Sequence, residues 1–576
     1  MKRAARSLRP LPPEGLEPSA FRPVVANLSG HDDLAALSPA LARVIAADFD
    51  LAALEGQLCP ALLEDGSAAV FAVQDQALTD AAAELLRQLR GRGLALAEPS
   101  IYVLPAPLLL ALSRGQITAA SLRSRRALHA DPRRTALARA FDEIVAWGLR
   151  HGASDIHLNV SLRQRQSQVR YTVAGRYVAP ECYARMPTAT LMEILSVAWM
   201  QVRGGNGAVF DPSIEQQGQI WHRAGPAPAG VMLRWASLAA DAGPSVCLRI
   251  IRLDGESAAT GIAELGYLPG QAQALARAGR CEGGAVVLAG AVGSGKSTTL
   301  AALMRAVPAT RKVVTLEDPV EYLIPGALQN TVGRDLQDDG QTVFDAKLRT
   351  LKRSAMNDLM IGEIRDAQTG RAFMDLAASG VSVYTTTHAG SVLLIGERLA
   401  SDFIGISRDF LATPGILKLL VYQALLPALC AHCALPLESL FEGPGAAACR
   451  RWAERIETAF ALDPLRMKVR NPQGCAACRS DRLPDMAGLS GRTVAAEMFE
   501  PEDDPVFLRC LRERDNLGLL RHFAGQRGAA FDEPDMRGKT AMQCALYKAS
   551  QGWVDPRDVE ARFRPFDSVA PAGRPA

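Results

Sequence analysis

Residues 290–298 read Gly-Ala-Val-Gly-Ser-Gly-Lys-Ser-Thr, and no other segment restricts the possible fold so far. The pattern is a complete G-x-x-x-x-G-K-S loop. The apolar run Ala285-Val286-Val287-Leu288-Ala289 precedes it, and the helix-patterned Thr298-Thr299-Leu300-Ala301-Ala302-Leu303-Met304 follows. A strand–loop–helix unit of this kind predicts a parallel α/β sheet. Gly293 and Gly295 let successive backbone N–H groups turn inward around a phosphate chain, where a β-carbon would interfere. The helix N-terminus adds partial positive charge at the same spot. Lys296 can reach the β- and γ-phosphates, and the Ser297 hydroxyl is placed to ligate Mg²⁺. Gly290, Gly293, Ser294, Gly295, Lys296, Ser297 and Thr298 are therefore the expected binding set for a nucleoside triphosphate.

At 576 residues the chain is too long for one hydrophobic core, and about three or four domains are expected. The formal net charge of +3 provides no global field for nucleic acid or an anionic membrane, so neither is an expected direct partner. No apolar run approaches the ~20 residues that span a bilayer. The basic start Met1-Lys2-Arg3-Ala4-Ala5-Arg6 has no apolar segment after it and does not read as a signal peptide. A cytoplasmic protein is expected, held at any membrane by partners. Eleven cysteines in that compartment do not read as a disulfide framework. Four of them form two C-x-x-C pairs, Cys430/Cys433 and Cys475/Cys478, each able to present two thiolates to one Zn²⁺. The 41 residues between the pairs would have to loop out.

The remaining pattern divides the chain. Residues 1–24 read as a disordered tail and 25–118 as a small α/β unit, with strands at 68–73 and 101–104 and a helix at 81–89. A basic linker at 119–134 carries Arg123, Arg125, Arg126, Arg133 and Arg134 without interleaved aromatics, which argues for solvated charge over a nucleic-acid patch. Residues 135–255 form a second α/β unit, beginning with a helix at 137–149. Residues 256–428 alternate strands and helices. A zinc element follows at 429–495, then a helical stretch at 496–563 and a loose tail at 564–576.

Strands after the phosphate loop should carry polar groups at their C-terminal ends, beside the bound phosphates. Three segments qualify: Val313-Val314-Thr315-Leu316-Glu317-Asp318, Leu359-Met360-Ile361-Gly362-Glu363, and Val383-Tyr384-Thr385-Thr386-Thr387-His388. One carboxylate there can orient an attacking water and a second can hold the Mg²⁺ shell, while a histidine can report on the γ-phosphate.

These residues resemble a known family. Glu317-Asp318-Pro319-Val320-Glu321, with Ile324-Pro325-Gly326 and Gln329, is similar to the Asp box of the type II secretion and type IV pilus ATPases. Gly362-Glu363-Ile364-Arg365-Asp366 resembles their atypical Walker B, and His388 falls at their His box. Gly152-Ala153-Ser154-Asp155-Ile156-His157 resembles the signature of their second N-terminal domain. The paired cysteines, with Arg492-Thr493 and Glu497, resemble the assembly-type members, which carry a tetracysteine zinc element.

The resemblance implies a RecA-like P-loop domain at 256–428 with a parallel sheet. A docking-like domain at 25–118 and a PAS-like domain at 135–255 would precede it, with the zinc element and the helical stretch behind. It implies ATP, Mg²⁺ and Zn²⁺ as ligands and Glu317 as the carboxylate polarising water, with Glu363 supporting Mg²⁺ and the γ-phosphate. It implies a charge clamp from Arg234, Arg249, Arg349, Arg353 and Arg365. The implied assembly is a homohexamer, docked on an inner-membrane platform or docking protein at the cytoplasmic face, that powers pseudopilus or pilus assembly. Alternatives are a conjugation or type IV secretion traffic ATPase, whose His-box sequence Thr386-Thr387-His388-Ala389-Gly390-Ser391 resembles, and a nucleotide-binding regulatory module with little turnover. The chain departs from the family in three places. Ala355-Met356-Asn357 replaces Asp-Pro-Asp, with Asp358 at an apolar strand position. Gln216-Gln217-Gly218-Gln219 lacks an arginine, and Gln368 replaces a glutamate.

Overall fold

The structure is a computed structural model. It describes residues 23–569, apart from short stretches at 29–30, 50–53, 55, 114–116, 121, 123–131, 208, 223–229, 253–260, 333–346 and 480–482. The expected tail before residue 23 and the linker arginines Arg123, Arg125 and Arg126 lie outside the described residues. The chain divides into two compact units, 1–139 and 140–576.

In the first unit, strands β1 (Val25–Asn27), β2 (Leu41–Val44), β3 (Leu58–Leu63), β4 (Ala68–Ala72) and β5 (Leu96–Val103) form one sheet in the order β1-β5-β4-β3-β2. Helix α1 (Asp80–Gly91) starts where the Thr79 hydroxyl accepts the Ala82 N–H, and it buries Ala82, Leu85, Leu86 and Leu89. Helix α2 (Ala106–Ser113) closes the unit.

The division falls inside helix α3 (Pro132–Arg150), and the second unit continues from it into an antiparallel sheet. Its main path is β6 (Ala153–Asn159), β7 (Gln166–Val173), β8 (Arg176–Val178), β9 (Gln217–His222), β10 (Val231–Ala240) and β11 (Gly243–Arg252), ordered β9-β10-β11-β6-β7-β8, with the two residues Met186–Pro187 also paired to β7. Alternation puts Leu233, Trp235, Val246, Leu248, Ile156, Leu158, Val169 and Tyr171 on the buried face. Helix α4 (Thr188–Trp199) buries Leu191, Ile194 and Leu195. The opposite face carries a lateral row set by register: Gln219 beside Arg234, Arg234 beside Arg249, and Arg249 beside Asp155.

The central sheet comprises β12 (Ala285–Ala289), β13 (Val313–Glu317), β14 (Leu328–Thr331), β15 (Asp358–Ile361), β16 (Ser382–Thr387), β17 (Leu417–Leu429) and β18 (Leu489–Phe499). They lie in the order β14-β13-β15-β16-β12-β17-β18, parallel throughout except for β18. Every residue of β12 is buried because both faces are covered. Val286 and Leu288 pack with Leu300 and Leu303 of α6 (Lys296–Ala306) and with Leu275 of α5 (Pro269–Arg280). Ala285, Val287 and Ala289 face the other cluster, with Phe373 and Leu376 of α7 (Ala367–Ala377) and Ile395 of α8 (Leu394–Leu399).

Strand β18 runs through the expected boundary at 495 and pairs with β17 over most of its length. The cysteine-bearing segment is therefore an excursion from the central sheet and not a separate body. Its 41-residue insertion folds: α9 (Ala446–Phe460) buries Ile456, Ala459 and Phe460 against Ala545, Leu546 and Ala549 of α12 (Ala541–Ser550). Between β18 and α12 lie α10 (Pro505–Glu513) and α11 (Asn516–Gly525). Residues 564–569, expected to be part of a loose tail, are packed. Phe566 is buried, with ring centroids 5.4 Å from Phe460 and 5.9 Å from Trp452. Residues 570–576 lie outside the described residues.

The unusual Asp358 has a structural partner. It is fully buried at the start of β15 and pairs with Arg311, whose Nη2 also donates to Ser382 Oγ at 3.0 Å. Burial is the largest influence on its carboxyl and raises its pKa, against the guanidinium. A buried pair is costly to break on one side, because the remaining charge keeps its desolvation penalty. Arg311→Ala should therefore destabilise the chain by about 3–5 kcal/mol, read as a lower urea midpoint. The paired change Arg311→Met with Asp358→Leu should recover most of that loss.

Candidate nucleotide site and tetracysteine cluster

The parallel register brings the C-terminal ends of neighbouring strands together. Leu316 is level with Ile361, Ile361 with Thr385, and Ala289 with Thr387. Glu317, Gly362, Glu363, His388 and Gly290 therefore follow at one edge of the sheet. A 710 Å³ cavity opens there, lined among others by the loop residues 293–298, Glu317, Glu363, Arg365 and His388, and by Asp155 and Arg249 of the antiparallel sheet. Gly290 adjoins this edge without lining it. Arg234 stands beside it, its Nη1 3.5 Å from the Asp318 carbonyl oxygen.

The loop has the backbone its glycines require. Gly293 and Gly295 have φ of 75° and 84°, in the left-handed region, and Gly295 caps α6. Lys296 is buried and donates from Nζ to the carbonyls of Gly290 and Ala291 at 2.9 and 3.1 Å. Burial lowers its pKa, against the attraction of Glu363 and Glu321.

Glu317 is the most enclosed carboxylate of the site. Its Oε1 accepts from Thr315 Oγ1 at 2.6 Å and from Gln329 Nε2 at 3.0 Å. Burial raises its pKa, opposed by those donors and by the Glu321 backbone N–H. Gln329 also accepts from the Ile324 N–H at 2.8 Å and donates to the Tyr322 carbonyl at 2.8 Å, which staples the loop that follows β13. The next strands are tied by threonines: Thr386 Oγ1 donates to the Gly362 carbonyl at 2.8 Å and Thr387 Oγ1 to that of Ile364 at 3.2 Å.

His388 stands between two acceptors. Its Nδ1 lies 3.2 Å from the Gly290 carbonyl and its Nε2 3.1 Å from Glu363 Oε1. It thus connects the phosphate loop to the carboxylate of the neighbouring strand. The arginines are also engaged: Arg365 pairs with Asp318 at 2.8 Å and Arg249 with Asp155 at 3.0 Å. Arg349 and Arg353 do not join the group. Both are exposed and neither lines the cavity.

Among the polar cavity residues, Tyr322, whose hydroxyl lies 3.0 Å from Thr298 Oγ1, and Arg252 had no role in the sequence reading, and Arg492 entered it only as part of the assembly-type pattern. Tyr322 lies in the segment resembling the Asp box, which was the available signal. Arg252 closes β11 and shows none. The family's missing arginine corresponds to Gln219, beside Arg234 in the cross-strand row. At the Asp-Pro-Asp position, Ala355 adopts φ 50° and Asn357 Oδ1 accepts the Lys312 N–H at 2.9 Å, so the turn is held by an amide.

The four cysteines converge as the spacing predicts. All their Sγ atoms lie within 4.8 Å of one another. Cys430 to Cys475 is 3.9 Å, Cys433 to Cys478 3.6 Å, and Cys475 to Cys478 3.8 Å. A tetrahedron with Zn–S bonds near 2.3 Å has edges of about 3.8 Å, so the donor set fits that ion. Burial pushes the Cys478 thiol up, but the N–H groups of Cys475 and Gly488 and the neighbouring thiols bring it down to about 7.

A phosphate loop on a parallel sheet, with carboxylates, a histidine and arginines around one cavity, defines a P-loop nucleotide-binding protein. The comparisons narrow the class. The type II/IV secretion system protein family model matches residues 132–532, and the chain belongs to that family. It is 28% identical over 416 residues to the type IV pilus assembly ATPase PilB of Thermus thermophilus, covering 71% of this chain and 41% of that protein. It is 30% identical over 317 residues to the type II secretion system protein HxcR of Pseudomonas aeruginosa, covering 54% and 63%. With the type II secretion system protein E of Klebsiella pneumoniae it shares 28% over 388 residues, covering 66% and 69%. The match therefore spans less than two thirds of the length of the first two relatives. Among the described residues, no helix is long and apolar enough to cross a membrane.

Proposed function

We propose that this chain hydrolyses Mg²⁺-ATP as one subunit of a homohexameric motor that assembles a type II secretion pseudopilus or a type IV pilus. The motor would work at the cytoplasmic face of the inner membrane, held by a platform or docking protein. The observation that carries this reading is the convergence of Lys296, Glu317, Glu363 and His388 on one sheet edge, facing Arg234 and Arg249 of the antiparallel sheet. Family membership and the relatives' names supply the process.

In this reading the phosphate loop and Lys296 hold the β- and γ-phosphates, and Glu317 accepts a proton from the attacking water. Mg²⁺, ligated by Ser297 with Glu363 behind it, would neutralise charge on the phosphates. Arg234, Arg249 and Arg365 exchange their present partners for the γ-phosphate. Loss of that phosphate returns them, so the closed arrangement of the two sheets loses its differential stabilisation. Arg349 and Arg353 lie outside their own cavity, so a role on nucleotide requires a second copy of the chain, as a ring provides.

Lys296→Ala should remove ATP hydrolysis, and Glu317→Gln should lower kcat by about 10²-fold or more. The sign of the pH dependence follows from burial. A base must be ionised, burial disfavours the ionised form, and activity therefore falls with decreasing pH at a value above the ordinary glutamate range of about 4.3. A pH–rate profile checks this, and an acid limb at or below that range would remove Glu317 as the base.

The tetracysteine cluster is read as a structural Zn²⁺ site. Elemental analysis should find about one zinc per chain, lost in Cys475→Ser together with a lower thermal midpoint. A metal-free protein with an unchanged midpoint would contradict it.

A further inference from the structure

Beneath the phosphate loop lies a buried polar chain that neither the family motifs nor the mechanism above uses. Gln423 stands in β17, one residue beyond the Ala289–Tyr422 pair that ends the register with β12. It is fully buried. Its Nε2 donates to the Ser294 carbonyl at 2.7 Å, and its Oε1 accepts from the Tyr267 hydroxyl at 2.6 Å. That hydroxyl lies 3.2 Å from Thr299 Oγ1 on α6. The Gln423 backbone carbonyl packs against Gly290, where a β-carbon would collide with it.

Donor and acceptor arithmetic leaves one arrangement of protons. The Ser294 carbonyl only accepts, so the amide nitrogen must face it and the amide oxygen must face Tyr267. The Tyr267 proton is then committed to Gln423, and Thr299 must donate to the Tyr267 oxygen. A chain thus runs from Thr299 through Tyr267 and Gln423 to Ser294, with each proton assigned.

We propose that Gln423, oriented by Tyr267, is a positioning residue that presets the phosphate loop for nucleotide. The carbonyl of Ser294 and the N–H of Gly295 belong to one planar trans peptide and point in opposite directions. Holding the carbonyl down onto Gln423 therefore aims the Gly295 N–H up toward the cavity that Gly295 lines. The loop does not have to reorganise its peptide when phosphate arrives, and the ordering cost is met at folding. Tyr267 extends the same control to the segment that leads from the antiparallel sheet into α5.

This inference rests on the reading of the loop as a nucleotide site, and the test separates the two. Gln423→Glu keeps the shape and the acceptor for Tyr267 but sets a carboxylate oxygen against the Ser294 carbonyl. Tyr267→Phe removes one hydroxyl and leaves the amide free to turn. Purified full-length protein is assayed for steady-state ATP hydrolysis and for direct binding of a fluorescent ADP. A loop contact made equally in ground and transition states shows in KM rather than kcat. KM for Mg²⁺-ATP and Kd for ADP should each rise about tenfold in Gln423→Glu and about threefold in Tyr267→Phe, with kcat held within about twofold. Loss of folded protein would instead lower kcat at unchanged KM, and that result overturns the proposal, as would wild-type KM and Kd in both variants. Wild-type protein that neither binds ADP nor turns over ATP refutes the nucleotide site itself, and the positioning role with it.

Discussion

The common register of four parallel strands underlies the rest of the structure. Strands β13, β15, β16 and β12 end level with one another because every residue of each is buried between helix layers on both faces. A slip of one residue would turn each strand's two sets of side chains toward the wrong layers, which the cores on both sides forbid. The polar residues that end these strands must therefore emerge together. Glu317, Glu363 and His388 owe their proximity to hydrophobic packing several residues earlier in each strand.

Charge in the resulting cavity is balanced before any ligand enters. Lys296 lies on two loop carbonyls, Arg365 on Asp318, Arg249 on Asp155, and His388 bridges the loop to Glu363. A phosphate chain arriving there exchanges partners, and exchange makes the energy of the site sensitive to which phosphate is present. Arg234 of the antiparallel sheet reaches the Asp318 carbonyl at the end of the parallel sheet, so a change of partner at Asp318 is felt by both.

The departures from the family pattern are absorbed locally. Asp358 finds Arg311 at the end of the sheet remote from the cavity, and Asn357 holds the turn where acidic residues are usual. The long interval between the cysteine pairs folds as a helix packed on the C-terminal helices, so the four thiols close the base of an ordered excursion.

Much of this was legible in the sequence because it is local. The phosphate loop is a run of nine residues with its own turn chemistry, the apolar runs around it announce strands buried on both faces, and C-x-x-C spacing makes a knuckle wherever it occurs. Thr315, Gln423 and Tyr267 carry no such mark, since an isolated polar residue in an apolar strand or a connecting turn reads the same whether it faces a buried partner or solvent. Their partners lie up to 156 positions away. Only the folded arrangement decides that Arg249 lines the cavity and Arg234 stands beside it, while Arg349 and Arg353 lie away from it. Sequence sets which groups stand at the ends of strands, by periodicity. Tertiary packing sets which ends meet, because burial on both faces leaves the sheet a single register.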